Sequence, residues 1–360
     1  AAMLLKGTSG RKEDEIVPFV QSLGGDISSF SGFSSAGVSM DILSGNFKEC
    51  VDLLGDVIMR PVFPEEEITK EKEKIIAEIR EQEKDIFSFG MVRLRKLLYG
   101  EHPYSRRVLG EKGTLDSMDR KAIKEFYRKI FVPKGAVLCV AGDIDPQETI
   151  ERLSSVFSPW KAGGEDESSP AIMPDKAWSE ESVQMDKEQS LVLVGFRGVS
   201  VKDKRKYVLD VISSMLSGRD GELFERIRED MGMSYVSGAV NGPNLDDGYF
   251  VLYAATTREN LEKVRDKIMS ALDFIIAGEF SEEDLESSKM RTITDNAVSL
   301  EGVSAVSMTV ALNSLYGLGV SHQDLYASEV RLVTREDVRR VASEFLEPEL
   351  AAVVEMVSAK

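Results

Sequence analysis

Residues 63–72 read FPEEEITKEK, and residues 280–289 read FSEEDLESSK. Phe63 and Phe280, Ile68 and Leu285, and Lys72 and Lys289 all fall at one offset, 217 positions (63 to 280). Working outward, Tyr99-Gly100 recurs as Tyr316-Gly317 at the same offset of 217 (99 to 316). Met118-Asp119-Arg120, Ile123, Phe131 and Pro133 recur as Val333-Thr334-Arg335, Val338, Leu346 and Pro348, an offset of 215 (133 to 348). Three ordered matches at nearly constant spacing mark a tandem duplication. Between the copies lies SPWKAGGEDESSPAIMPDKAWSEES (158–182), rich in Pro, Gly, Ser and acid and without apolar period, which reads as a linker. The expected organisation is a first domain at 1–157 and a second at 183–360.

Each copy reads as α+β. Helices are expected at 65–85, 119–131, 204–216, 259–277, 282–298 and 335–346. In the first of these an acidic start behind Pro64 complements the helix dipole, and Ile68, Ile75, Ile76 and Ile79 recur at helical spacing. β-rich runs at 136–141, 190–196, 235–240, 249–254 and 351–357 are expected as strands. The runs at 235–240 and 249–254 flank the turn-rich NGPNLDDG and suit an antiparallel pair. Strands adjacent without an intervening helix point to mostly antiparallel sheets packed with helices, not a doubly wound parallel sheet. Aligning Ala1-Ala2-Met3-Leu4 with Ser213-Ser214-Met215-Leu216 puts residue 1 near the end of its copy's first helix. The leading strand and most of that helix are therefore expected to be missing from this sequence.

Composition narrows the function. Lys and Arg number 45 against 62 Asp and Glu, a net charge of −17, which disfavours a phosphate backbone; nucleic acid is not an expected partner. With 42% hydrophobic residues the chain can fill two cores, which excludes a disordered chain or a disulfide scaffold. No run approaches the roughly 18 apolar residues of a membrane span. Cys50 and Cys139 each sit in an apolar segment and read as buried small hydrophobes. Residues 1–5 (AAMLL) carry no charged region followed by a cleavage site, and the compartment is not legible. The two histidines, His102 and His322, lack a His or Glu partner at helical metal-ligand spacing, so no complete zinc site can be drawn within the chain. His102 stands in a turn context, Gly100-Glu101-His102-Pro103.

The runs LLKGTSGRKEDEIVPFVQSLGGDISSFSGFSSAGVSMDIL, VDLLGDVIMRPVFPEEEITKEKEKIIAEIREQEKD and LLYGEHPYSRRVLGEKGTLDSMDRKAIKEFYRKIFVPKGAVLCVAGDI resemble the pitrilysin/insulinase metallopeptidases, in the branch that includes the mitochondrial processing peptidase. LFERIREDMGMSYVSGAV and FSEEDLESSKMR continue the likeness through the second copy. The resemblance implies tandem α+β domains of one ancestry. Active members bind zinc through an inverted His-x-x-Glu-His helix, whose Glu activates the metal-bound water, plus a Glu on a later helix. The motif's final Glu-His falls on Ala1-Ala2, which can neither ligate a metal nor abstract a proton. Glu78 holds the later ligand's position and Glu71 lies one heptad earlier; they read as remnants of a site, although spacing alone makes them members of a charged helix face. Active assemblies also use an Arg and a Tyr seven residues apart to hold the substrate backbone and stabilise the oxyanion, and Arg228 and Tyr235 match. The turn Ser217-Gly218-Arg219-Asp220-Gly221 resembles the family's glycine-bearing turn before that helix.

The implied function is a non-catalytic half or subunit that encloses a peptide and lends Arg228 and Tyr235 to a zinc-bearing half. That zinc would belong to the partner half or subunit; a homodimer is the other partner arrangement expected. Two alternatives stay open at this point: a structural or assembly protein of the same fold, and an active peptidase whose motif is truncated or substituted.

Overall fold

The structure is a computed structural model that describes residues 1–161, 163, 173, 177–217, 221–223 and 236–359. Its contacts divide into two units that interleave along the chain: Ala1–Arg80, Val108–Ser169 and Leu300–Ser321 in one, Glu81–Arg107, Pro170–Ser299 and His322–Lys360 in the other.

The duplication is visible in the helices. Glu65–Lys84 and Glu282–Ser299 start 217 residues apart (65 to 282), as do Ile86–Tyr99 and Val303–Leu315 (86 to 303). Arg120–Ile130 and Arg335–Phe345 start and stop 215 apart (120 to 335). The starts carry local signals: Asp119 accepts from the Ala122 N–H, and Thr334 forms a capping box with Asp337.

In the first unit a hairpin of β1 (Asp26–Ser31) and β2 (Ala36–Asp41) is the described sheet. Its core gathers Leu4, Ile16, Val20, Ile27, Leu53, Val57, Phe63 and Ile68. Helices Phe47–Met59 and Pro146–Phe157 meet so closely that a Cβ at Gly55 would lie 2.4 Å from Val156 Cγ1. The run 136–141 does not form the expected strand. A strand needs a neighbour to take up its backbone groups, and no described segment pairs with it; Val137 and Leu138 stand exposed. Cys139 is accordingly half-exposed, whereas Cys50 is buried as expected.

The second unit is built on a five-stranded sheet, β3-β7-β4-β6-β5: β3 (Ser179–Met185), β4 (Ser190–Arg197), β5 (Ser237–Gly242), β6 (Tyr249–Thr256) and β7 (Ala352–Ser358). All pairs are antiparallel except β3 with β7. The stretch expected as linker thus enters the sheet at Ser179. Strand β4 is buried on both faces, which explains why it reads as a continuous apolar run. Val192, Val194 and Phe196 share a core with helices Arg205–Leu216, Leu261–Ala277 and Arg335–Phe345. The opposite face, Leu193 and Gly195, takes helix Ile86–Tyr99. Two glycines allow that approach: a Cβ at Gly90 would fall 2.4 Å from Leu193 Cδ1, and one at Gly195 2.7 Å from Leu94 Cδ2. Helix Ile86–Tyr99 thus packs in the second unit, and its copy Val303–Leu315 in the first.

Candidate functional site

Ala2–Leu5 form a 3₁₀ turn anchored by the buried Leu4 and Leu5. Lys6 follows, and Gly7 turns the chain at φ +128°, a conformation that disfavours any side chain. Val62 N–H donates to the Gly7 carbonyl at 3.1 Å, and Ser9 N–H to that of Arg60 at 3.0 Å, tying the segment to the chain leading into helix Glu65–Lys84. Thr8 Oγ1 donates to the buried Asp56 carboxylate at 2.5 Å and accepts from the N–H groups of Gly10 and Arg11. Asp56 is held further by Arg60 at 3.1 Å and Arg11 at 3.5 Å.

Glu71 and Glu78 lie on one helix, Glu65–Lys84. Glu71 is buried, with Lys6 Nζ 3.8 Å from one carboxylate oxygen and Lys74 Nζ 3.8 Å from the other. Lys74 also stands 3.8 Å from Glu78, which is half-exposed. Lys6 additionally bonds Glu13 at 3.1 Å. Sequence reasoning missed these two lysines as counter-charges. Lys74, at i+3 and i−4 from the two carboxylates, was findable from helical spacing; Lys6, 65 residues from Glu71 (6 to 71), was not.

This donor set does not fit a resident zinc ion. Alanine side chains carry no ligating atom, and the two carboxylates face ammonium groups instead of imidazoles. No group of three or more His, Cys, Asp and Glu side chains able to hold a metal occurs among the described residues. His102 is buried beneath Tyr99 and Tyr104, where Nδ1 accepts from the Tyr104 N–H at 3.2 Å. His322 Nε2 lies 2.8 Å from Lys206 Nζ. Arg228, Tyr235 and Gly218–Asp220 of the glycine-bearing turn lie outside the described residues.

Two family models match the chain, "Insulinase (Peptidase family M16)" over residues 1–112 and "Peptidase M16 inactive domain" over residues 117–292. The chain belongs to the insulinase family of peptidases. An uncharacterized zinc protease of Rickettsia bellii is 24% identical over 326 residues, 90% of this chain and 78% of that protein. Among solved structures, a protease from Helicobacter pylori superposes with a TM-score of 0.89 at 21% identity, covering 99% of this chain and 87% of that one. A peptidase M16 inactive domain from Pseudomonas fluorescens gives a TM-score of 0.86 at 18% identity, covering 100% of this chain and 87% of that one. These structural likenesses bear on the fold. No single described helix is long and apolar enough to cross a membrane.

Proposed function

We propose that this chain is a non-catalytic half of an insulinase-family peptidase, enclosing a peptide for a zinc-bearing half. The observation that carries the reading is the occupancy of the family's metal position. On the resemblance, the family's water-activating Glu and ligating His fall on Ala1 and Ala2, and Lys6 and Lys74 stand beside Glu71 and Glu78. A carboxylate with an ammonium neighbour has its charge balanced without a metal. The match of the inactive-domain model to residues 117–292 supports the same reading. On this account the chain comprises a first domain at 1–157 and a second at 183–360, joined through 158–182. Zinc resides in the partner, another subunit or an active homologue of this chain. Arg228 and Tyr235 supply hydrogen-bond donors to the scissile carbonyl.

The test is reconstitution with a zinc-bearing insulinase-family half. Peptide cleavage should require both halves, and Arg228→Ala should lower kcat by about 100-fold with the complex intact. Cleavage by the partner alone at the rate of the pair refutes the role. An assembly protein of the same fold would form the complex yet show no effect of Arg228→Ala.

A further inference from the structure

The last stretch of the second unit begins at His322, which opens a 3₁₀ turn, His322–Leu325, ahead of helix Tyr326–Arg331. Little apolar packing holds that turn, since none of its residues is buried and Leu325 is 52% exposed. The chain just before it is loosely seated as well: Gly317 and Gly319 take φ +76° and +92°, and a Cβ on either would meet nothing within 4 Å. The His322 ring ties the turn to helix Arg205–Leu216, with Nε2 2.8 Å from Lys206 Nζ and 3.4 Å from the Tyr207 hydroxyl.

The two partners differ in freedom. Lys206 is buried on the first turn of its helix, where the ammonium donates to the Val201 carbonyl at 2.6 Å and lies 5.0 Å from the Tyr207 ring centroid. Ordinary values of 10.5 for lysine and 6.5 for histidine leave the proton between the two nitrogens on Lys206, although burial lowers the lysine. His322 is therefore the acceptor, which requires a neutral ring with its own proton on Nδ1. A protonated ring has no lone pair to offer and would set two positive charges against each other at hydrogen-bond distance. The remaining groups around the ring do not offset this. Tyr207 brings a neutral hydroxyl. Glu329, on helix Tyr326–Arg331, is an anion acting on the ring, and Lys204 already engages it at 2.7 Å. Asp210 acts on Lys206 while accepting from Asn241 and from the Tyr326 hydroxyl, both at 2.8 Å. Asp324, on the turn itself, is exposed.

We propose that His322 is an acid-released latch: the neutral ring holds the turn His322–Leu325 on helix Arg205–Leu216, and the protonated ring lets that turn go while the rest of the second unit stays folded. The histidine is the side that leaves, because Lys206 is fixed by its helix and by the Val201 carbonyl whereas the turn has no buried anchor. The event is local, since the buried core of the second unit includes no residue of the turn. Burial first and the Lys206 charge second hold the ring below the ordinary value of 6.5, with Glu329 acting the other way. A histidine depressed in the closed state and ordinary in the open one favours opening as pH falls through 6.5, so the open fraction should rise by up to about tenfold between about pH 7.5 and 5.5. The latch is independent of the proposed pairing, since it belongs to this chain alone.

Two measurements on the full chain test this. Ring protons of the two histidines are followed by NMR from about pH 8 to 5, with His322→Gln assigning the resonance. Hydrogen exchange of a peptide covering 317–326 is followed by mass spectrometry over the same range, corrected for the intrinsic pH dependence of exchange. His322 should titrate below 6.5, and the corrected exchange should rise by up to about tenfold from about pH 7.5 to 5.5 while peptides from β4 keep their protection. His322→Gln keeps an acceptor for Lys206 and cannot titrate, so the rise should vanish. Lys206→Met removes the opposing charge and should move the His322 titration upward. A His322 titration at or above 6.5, equal exchange of 317–326 at the two pH values, or an undiminished rise in His322→Gln would overturn the proposal.

Discussion

Placing helix Ile86–Tyr99 against β4 makes a quantitative prediction at Gly90. A Cβ added there would lie 2.4 Å from Leu193 Cδ1 and 3.3 Å from Met356 Cγ, and both side chains are fully buried with nowhere to swing. Overpacking of this kind costs about 1–3 kcal/mol, and the better helix propensity of alanine returns about 1 kcal/mol. Gly90→Ala should therefore destabilise the second unit by roughly 1 kcal/mol. Leu193→Ala alone should cost about 2–5 kcal/mol through the cavity it leaves. Combined, the new methyl enters the space vacated by Leu193, so the double variant should be less damaged than the sum of the single variants by about 1–2 kcal/mol. Urea unfolding of the full chain, followed by circular dichroism, supplies the four free energies of the cycle. Additivity within about 0.5 kcal/mol would mean that Gly90 and Leu193 do not touch, and would remove this helix from the sheet.

Three further outcomes follow. Residues 177–360 expressed alone keep β3 but lack helix Ile86–Tyr99 and should bind a hydrophobic dye through the uncovered Leu193 face; a peptide spanning 81–107, added in trans, should reduce the signal, and no change would contradict the packing. Asp56→Ala strips partners from Thr8, Arg11 and Arg60 and should cost about 2–4 kcal/mol in thermal or chemical unfolding, whereas a cost under about 0.5 kcal/mol would show that the turn does not depend on it. Stability should fall on acidification from about pH 7 to 5.5, because burial holds His102 and His322 below the ordinary histidine value of 6.5, with the Lys206 charge adding to the effect at His322. Below that value the unfolded chain binds more protons than the native one, so stability present above it is lost as pH drops. His102→Asn, which keeps an acceptor for the Tyr104 N–H, should flatten the urea midpoint against pH; an unchanged slope would refute the assignment.

The duplication was legible because it is written in local signals that survive divergence. Pro64 with Glu65–Glu67, and the capping pair Thr334 and Asp337, mark helix starts that the structure keeps. Strands β4, β6 and β7 were readable for a related reason: burial on the sheet makes their sequences apolar over most of their length. The run 136–141 has the same composition yet forms no strand, since β-propensity supplies no pairing partner. Nor did any local pattern announce that helix Ile86–Tyr99 would pack with the second unit. That choice rests on glycines 105 residues apart (90 to 195), which mean nothing until the two segments meet. At the candidate site, Ala1, Ala2, Glu71 and Glu78 were placed by resemblance alone, and composition could not separate them from an ordinary charged helix. The Lys6 neighbour of Glu71 and the Asp56 clasp on Thr8 depend on long-range contacts and left no spacing to read.

The reading of this chain as a half without its own hydrolytic chemistry is tested most directly by measuring bound metal and turnover on one sample. The purified full chain would be assayed for zinc by mass spectrometry and for cleavage of a quenched fluorescent peptide, with and without a chelator. The account predicts substoichiometric zinc and no chelator-sensitive cleavage until the zinc-bearing half is added. One zinc per chain together with cleavage that the chelator abolishes would contradict it.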